Sequence, residues 1–260
     1  MIPKIIHYCW FGRNPLPEMA KKCISSWKKY LPDYEIKEWN EDNFDVNIIP
    51  YTAEAYRAKK YAFVSDYARF WILYKYGGLY FDTDVEVIKS MDEIIARGPF
   101  MGCENKAEKG ATTLGVAPGL GLYEMLVKSY EGESFINKDG SYNQITIVKR
   151  TTQLLCELGL KNTDEIQCVA GVNIYPVDYF CPMNRFNHKI EITPNTVSIH
   201  HYDASWQTPE TKWIQKTTYK YSWIPNVAYV VNFMGALKFR GFSAATKDLV
   251  LWVKTKYKKI

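Results

Sequence analysis

Cysteine is scarce and scattered: Cys9, Cys23, Cys103, Cys156, Cys168 and Cys181 include no C-x-x-C pair. That spacing disfavours a zinc knuckle or a disulfide framework and points to reduced, mostly packed thiols of a cytoplasmic protein. No apolar run approaches about 18 residues, and the opening MIPKIIHYCWFG is too short in apolar character and lacks a small-residue cleavage site. Neither a membrane-spanning helix nor a secretion signal is therefore expected. No G-x-G-x-x-G follows the first apolar run, and Gly119-x-Gly121 lacks a third glycine, so a dinucleotide cofactor is not expected. Internal repeats and low-complexity tracts are missing too, which disfavours solenoids and long disordered segments.

What is present is an aromatic-rich globular chain of 260 residues, long enough to bury roughly three quarters of its unfolded surface without staples. The net charge of +5 is unevenly placed. Gly235 to Ile260 carries seven Lys/Arg against one Asp, so the preceding residues sum to about −1. A basic tail without a reading motif does not make a nucleic-acid binder.

The run KIIHYCWF reads as a buried first strand, Leu16 to Leu31 as a helix stopped by Pro32, and Tyr34 to Trp39 as a second strand. Strand, helix, strand opens an α/β domain with parallel strands. A helix is strongest from Ala62 to Tyr76 and is ended by Gly77-Gly78; a strand over residues 79 to 88 follows. Shorter strands are expected near 100–104, 113–116, 172–175 and 196–202, and helices near 122–130 and 145–158. The domain is expected to span 1–225, with a basic amphipathic tail over 226–260.

Asp82 and Asp84 stand two apart on the predicted strand, so the pleat aims both carboxylates at one face. Paired acids repel, and a divalent cation relieves them and can clamp a diphosphate. Alone the pair is a weak signal, since most D-x-D pairs are solvated strand faces. Its context of an aromatic helix and a double glycine raises it. On that helix Asp66 and Arg69, at i and i+3, can pair across one turn, either as a surface bridge or as a sugar-hydroxyl acceptor with its support.

Four segments in order, Ile5-Ile6-His7-Tyr8-Cys9-Trp10-Phe11-Gly12, Ser65-Asp66-Tyr67-Ala68-Arg69, Gly77-Gly78-Leu79-Tyr80-Phe81-Asp82-Thr83-Asp84 and Ile199-His200-His201-Tyr202-Asp203-Ala204-Ser205-Trp206, carry a resemblance. Together they resemble the bacterial capsular-polysaccharide glycosyltransferases with a D-x-D sugar-binding region, glycosyltransferase family 32, over about residues 1 to 210. The resemblance implies a GT-A fold, a Rossmann-like α/β sandwich. It also implies a nucleotide-sugar donor, Mn2+ or Mg2+, and transfer of a hexose with retention of configuration.

By the same resemblance, Trp10 stacks on the donor base, Asp66 holds ribose or sugar hydroxyls, and Arg69 sits beside the donor sugar. Asp82 binds hydroxyls and approaches the metal, Asp84 is its firmest ligand, and a late histidine completes the shell. Strand alternation allows only one of His200 and His201 to reach it, and His201 is preferred. Ser205 and Trp206 belong to a loop closing over the diphosphate, Asn143 lies toward the acceptor, and His7 packs or orients the base pocket.

The expected partners are a UDP-linked or similar donor, a glycan or lipid-linked glycan acceptor, and an anionic membrane surface met by the tail at its cytoplasmic face. The tail's alternative is a helix packed back on the domain. The rival functions are a phosphohydrolase using Asp82, disfavoured by Glu86 where such enzymes carry Thr or Val, and a metal-free carbohydrate-binding module.

Overall fold

The computed structural model describes residues 1–105, 112–185, 187–203 and 208–257. They form two compact units, Met1–Met183 with Lys189–Tyr202, and Asn184–His188 with Asp203–Ile260.

The first unit is built on a mixed seven-stranded sheet. Its strands are β1 (Ile5–Cys9), β2 (Glu35–Trp39), β3 (Gly78–Tyr80), β5 (Phe100–Gly102), β6 (Thr112–Val116), β7 (Gln167–Val169) and β8 (Val172–Tyr175), in the order β2-β1-β3-β6-β5-β8-β7. A separate two-stranded sheet pairs β4 (Val85–Val87) with β9 (Ser198–His200). The helices of this unit are α1 (Glu18–Tyr30), α2 (Pro50–Arg57), α3 (Tyr61–Tyr76), α4 (Asp92–Ala96), α5 (Gly121–Lys128), α6 (Ile147–Glu157) and α7 (Val177–Phe180).

β1 runs parallel to both β2 and β3, as the strand, helix, strand opening requires, while β6 reverses direction between β3 and β5. Strand alternation sorts the core into two layers. Ile6, Tyr8, Leu79, Phe81, Phe100 and Tyr175 join Cys23 and Trp27 of α1 on one face. Cys9, Tyr80, Met101, Leu114, Val116 and Ile174 join Val64, Ala68, Ile72 and other α3 residues on the opposite face. Helices on both faces of a sheet make the α/β sandwich expected from the sequence. Cys9, Cys23, Cys103 and Cys181 are buried, and Cys156 and Cys168 are exposed.

The strand expected over 79–88 is two strands. β3 ends at Tyr80, residues 83–84 turn, and the Val85 N–H donates to the Asp82 carbonyl at 3.0 Å. A central strand buried on both faces has no place for Asp82 and Asp84, so the chain leaves the sheet there. β4 then packs under α1, where the Trp27 indole donates to the Val85 carbonyl at 2.7 Å.

The second unit contains α8 (Pro209–Lys220), α9 (Val227–Arg240) and α10 (Phe242–Tyr257). Its break falls at Asp203, ahead of the boundary expected at 225/226, because α8 packs with α9. The tail read as one amphipathic helix is two, divided at Gly241 with φ of 86°.

Candidate active site

Arg69 organises the site. It lies one turn beyond Asp66 on α3 and its side chain is only 7% exposed. Nη2 donates to Asp66 Oδ1 at 3.1 Å, Nη1 to Asp82 Oδ2 at 2.9 Å, and Nε to the Ser65 carbonyl at 3.4 Å. The Tyr80 ring lies 4.8 Å beneath the guanidinium. Burial opposes the charge, but Asp82, Tyr80 and Asp66 outweigh it and hold Arg69 well above its ordinary value.

One cation shared between two carboxylates leaves an excess negative charge, and Asp66 absorbs it. Burial pushes its carboxyl up to about 7 against the pull of Arg69, with Asp82 adding to the rise. The backbone N–H of Ile147, at the start of α6, also bonds Asp66 and favours its ionised form. Asp66 is therefore a buried carboxyl able to accept or donate a hydrogen bond near neutral pH.

Asp84, in the β3–β4 turn, meets His200: Nε2 lies 3.2 Å from Asp84 Oδ1, and both side chains are mostly buried. His201 instead places Nε2 2.7 Å from Glu86 Oε2, which Lys22 also contacts at 2.9 Å. The sequence favours His201 as the metal histidine, but it is His200 that meets Asp84. In the β4–β9 ladder Glu86 faces Ile199, so His201 shares the Glu86 face and His200 the other. Were Asp84 part of β4 it would lie with His201; being in the turn, it rotates toward His200. Burial disfavours the imidazolium, yet Asp84 and then Cys181 raise His200 well above its ordinary value.

Tyr202, with φ of 51°, stacks at a tilt 4.2 Å from the His200 ring, and its hydroxyl donates to the Glu104 carbonyl at 3.1 Å. That contact fastens the segment after β9 to the segment after β5.

Trp10 leaves the C-terminal end of β1 as Asp82 leaves that of its parallel neighbour β3, the edge where open α/β sheets bind ligands. It is partly buried against the core and its indole donates to the Asn14 carbonyl at 2.6 Å. His7 lies at the other face of β1, bonded to Trp39 and Gly77. Asn143 is not joined to the carboxylates: its amide donates to Glu133 at 3.3 Å, and Glu133 is held by Arg150 at 2.6 Å. Ser205 and Trp206 lie outside the described residues. Tyr80, Glu104 and the Ile147 N–H were not expected. Alternation from Asp82 could have suggested Tyr80, whereas no local signal marks the other two.

Among the described residues no three His, Cys, Asp or Glu side chains meet as a metal cage. Asp84 and His200 supply two converging donors, and Asp82 is held by Arg69 through one oxygen. Such a set fits a divalent cation that completes its shell with ligands from outside the chain. A cation there would take the place of the proton between Asp84 and His200.

Residues 17–101 match the family model described as glycosyltransferase sugar-binding region containing DXD motif. Inositol phosphoceramide mannosyltransferase 3 of Schizosaccharomyces pombe is 35% identical over 98 residues, 36% of this chain and 27% of that protein. Mannosyl phosphorylinositol ceramide synthase CSH1 of Saccharomyces cerevisiae is 27% identical over 137 residues, 50% of this chain and 35% of that protein. The chain thus spans well under half the length of these relatives. Among solved structures, PaToxG glycosyltransferase aligns with a TM-score of 0.45 at 20% identity, covering 60% of this chain and 68% of that one.

Proposed function

We propose that the first unit is a metal-dependent, retaining GT-A glycosyltransferase that moves a hexose from a nucleotide diphosphate donor, UDP-linked in the first instance, onto a lipid-linked glycan acceptor. The observation that carries this is the juxtaposition, at the exit of β3, of the Asp66–Arg69–Asp82 triad with the Asp84–His200 pair. The family match, which contains the first four of these residues, supports the reading.

Breaking the sugar–diphosphate bond builds negative charge on the leaving group, and stabilising that charge is the step most in need of help. Mn2+ or Mg2+ held by Asp84 and His200 would neutralise it as a Lewis acid. Asp66 and the Asp82 oxygen not taken by Arg69 bind ribose or sugar hydroxyls. Arg69 fixes both carboxylates so that neither reorganises as the bond breaks. Trp10, at the neighbouring strand end, stacks on the base.

The relatives named for inositol phosphoceramide support an acceptor carried on a membrane lipid. A growing surface glycan such as a capsular polysaccharide is one acceptor of that kind, and it places the work peripherally at a membrane's cytoplasmic face.

Thermal shift with UDP and GDP tests the reading. Nucleotide with Mn2+ should raise Tm, and Asp84→Asn or EDTA should remove the rise. Stabilisation that survives both would overturn the metal assignment, and a screen of nucleotide sugars for slow hydrolysis then reads the donor.

A further inference from the structure

The second unit carries apolar surface that its own packing leaves open. α9 is apolar nearly all round, yet only Val231, Gly235 and Ala236 are buried in it. Gly235 lets α8 come close, since a Cβ there would stand 2.5 Å from Ile214. Away from that seam, Val230, Met234 and Leu237 follow the i, i+4, i+7 spacing of one helix face, and all are exposed, Val230 by 60%. Trp223, in the α8–α9 turn, is 77% exposed, and Phe242, which opens α10, is 70% exposed. A helix apolar on every side is ordinarily covered.

The sequence of this unit is predominantly basic. Asp203 to Ile260 holds ten Lys/Arg and three Asp/Glu. Two of those acids, Glu210 and Asp248, are both paired with Arg240, so they offset little of the lysine charge. Lys238, next to Leu237, lies 4.9 Å over the Trp213 ring.

We infer that this face seats in the interfacial region of an anionic lipid bilayer, with Trp223, Val230, Met234, Leu237 and Phe242 entering the acyl boundary and the lysines facing the headgroups. An exposed apolar stripe flanked by cations is the pattern of interfacial helices, with tryptophan favoured at that depth. α9 has 14 residues, about 21 Å at 1.5 Å per residue, against about 30 Å of hydrocarbon. Among the described residues no helix is long and apolar enough to cross a membrane, so α9 lies on the surface. The structure adds the α8–α9 turn to the attachment, which the basic tail alone did not reveal.

The test is co-sedimentation of the full chain with phosphatidylcholine vesicles with and without phosphatidylserine, independently of donor hydrolysis. The wild type should bind the anionic vesicles at least about tenfold more tightly than the neutral ones. Trp223→Ser and the double variant Val230→Ser/Met234→Ser, all at exposed positions, should each weaken binding about tenfold while helicity by circular dichroism and donor hydrolysis stay unchanged. Lys238→Glu/Lys247→Glu should remove the preference for phosphatidylserine. Equal binding to both vesicles, binding indifferent to these variants, or a dimer in sedimentation velocity that Met234→Ser dissolves in a chain ignoring vesicles would each overturn the inference.

Discussion

Both ring nitrogens of His7 are committed. The Trp39 indole can only donate, so Nδ1 accepts its hydrogen bond at 3.0 Å; the Gly77 carbonyl can only accept, so Nε2 carries the proton it receives at 3.0 Å. That network requires the neutral ring, and burial lowers its pKa to about 4, with the Gly77 bond opposing and Lys37 assisting. The unfolded chain protonates His7 near 6.5 while the folded protein resists down to about 4, so stability present above 6.5 is lost as pH falls through that window. The full loss is about 3 kcal/mol. His7→Gln should flatten the fall in Tm between pH 6.5 and 4.5, and parallel curves for the two proteins would remove His7 as its cause. Arg69 is the reverse case, a buried cation whose loss strands two acids. Arg69→Ala should cost about 3 to 5 kcal/mol in urea unfolding. Arg69→Lys should recover only part, because an ammonium cannot present the guanidinium fork to Asp66 and Asp82 together. At this scale the ion pair was legible from residue type and spacing: Asp66 and Arg69, at i and i+3, bond across one helix turn. Which histidine meets Asp84 was not, because it turns on whether Asp84 belongs to a strand or a turn, a one-residue register question.

The elements that hold the site are fixed by punctuation more than by propensity. α3 must end and enter β3 within two residues, and Gly77 and Gly78 do so at φ of 64° and 96°. A Cβ at Gly78 would stand 2.6 Å from the Ile5 carbonyl oxygen, backbone that β1–β3 pairing holds in place. Gly78→Ala should therefore destabilise by more than about 1 kcal/mol and loosen Asp82 with it. Gly121→Ala, in the first turn of α5 with nothing within 4 Å of the new methyl, should be neutral or stabilise by up to about 1 kcal/mol. Chemical denaturation separates the two; equal effects would mean that the α3–β3 turn is not under steric control. Helices α1, α3, α5 and α6 and the buried strands β1, β5 and β8 were readable because their apolar periods are strong. The split of residues 79–88 was not, since Phe81 and Val85 continue an alternation that only the cost of burying Asp82 interrupts. β7, α4 and α7 are three to five residues long, too short to carry a period.

For the whole molecule, the charge divides along the same line as the packing. Residues 1–202 sum to about −2 and Asp203 to Ile260 to +7. A weakly acidic first unit does not attract a diphosphate over distance, and the buried guanidinium of Arg69 is occupied by Asp66 and Asp82. On the proposed function, donor binding rests on short-range contacts and a cation at Asp84 and His200, which salt screens little. Vesicle binding by the second unit rests on exposed lysines acting across a headgroup layer, where the screening length falls from about 10 Å at 0.1 M to about 3 Å at 1 M. Raising NaCl from about 0.05 M to about 0.5 M should release the chain from phosphatidylserine vesicles while lowering kcat/KM for donor hydrolysis less than about threefold. Measured on one sample, the two salt curves should diverge. A donor reaction as salt-sensitive as membrane release would mean that exposed lysines, not the site at β3, neutralise the diphosphate.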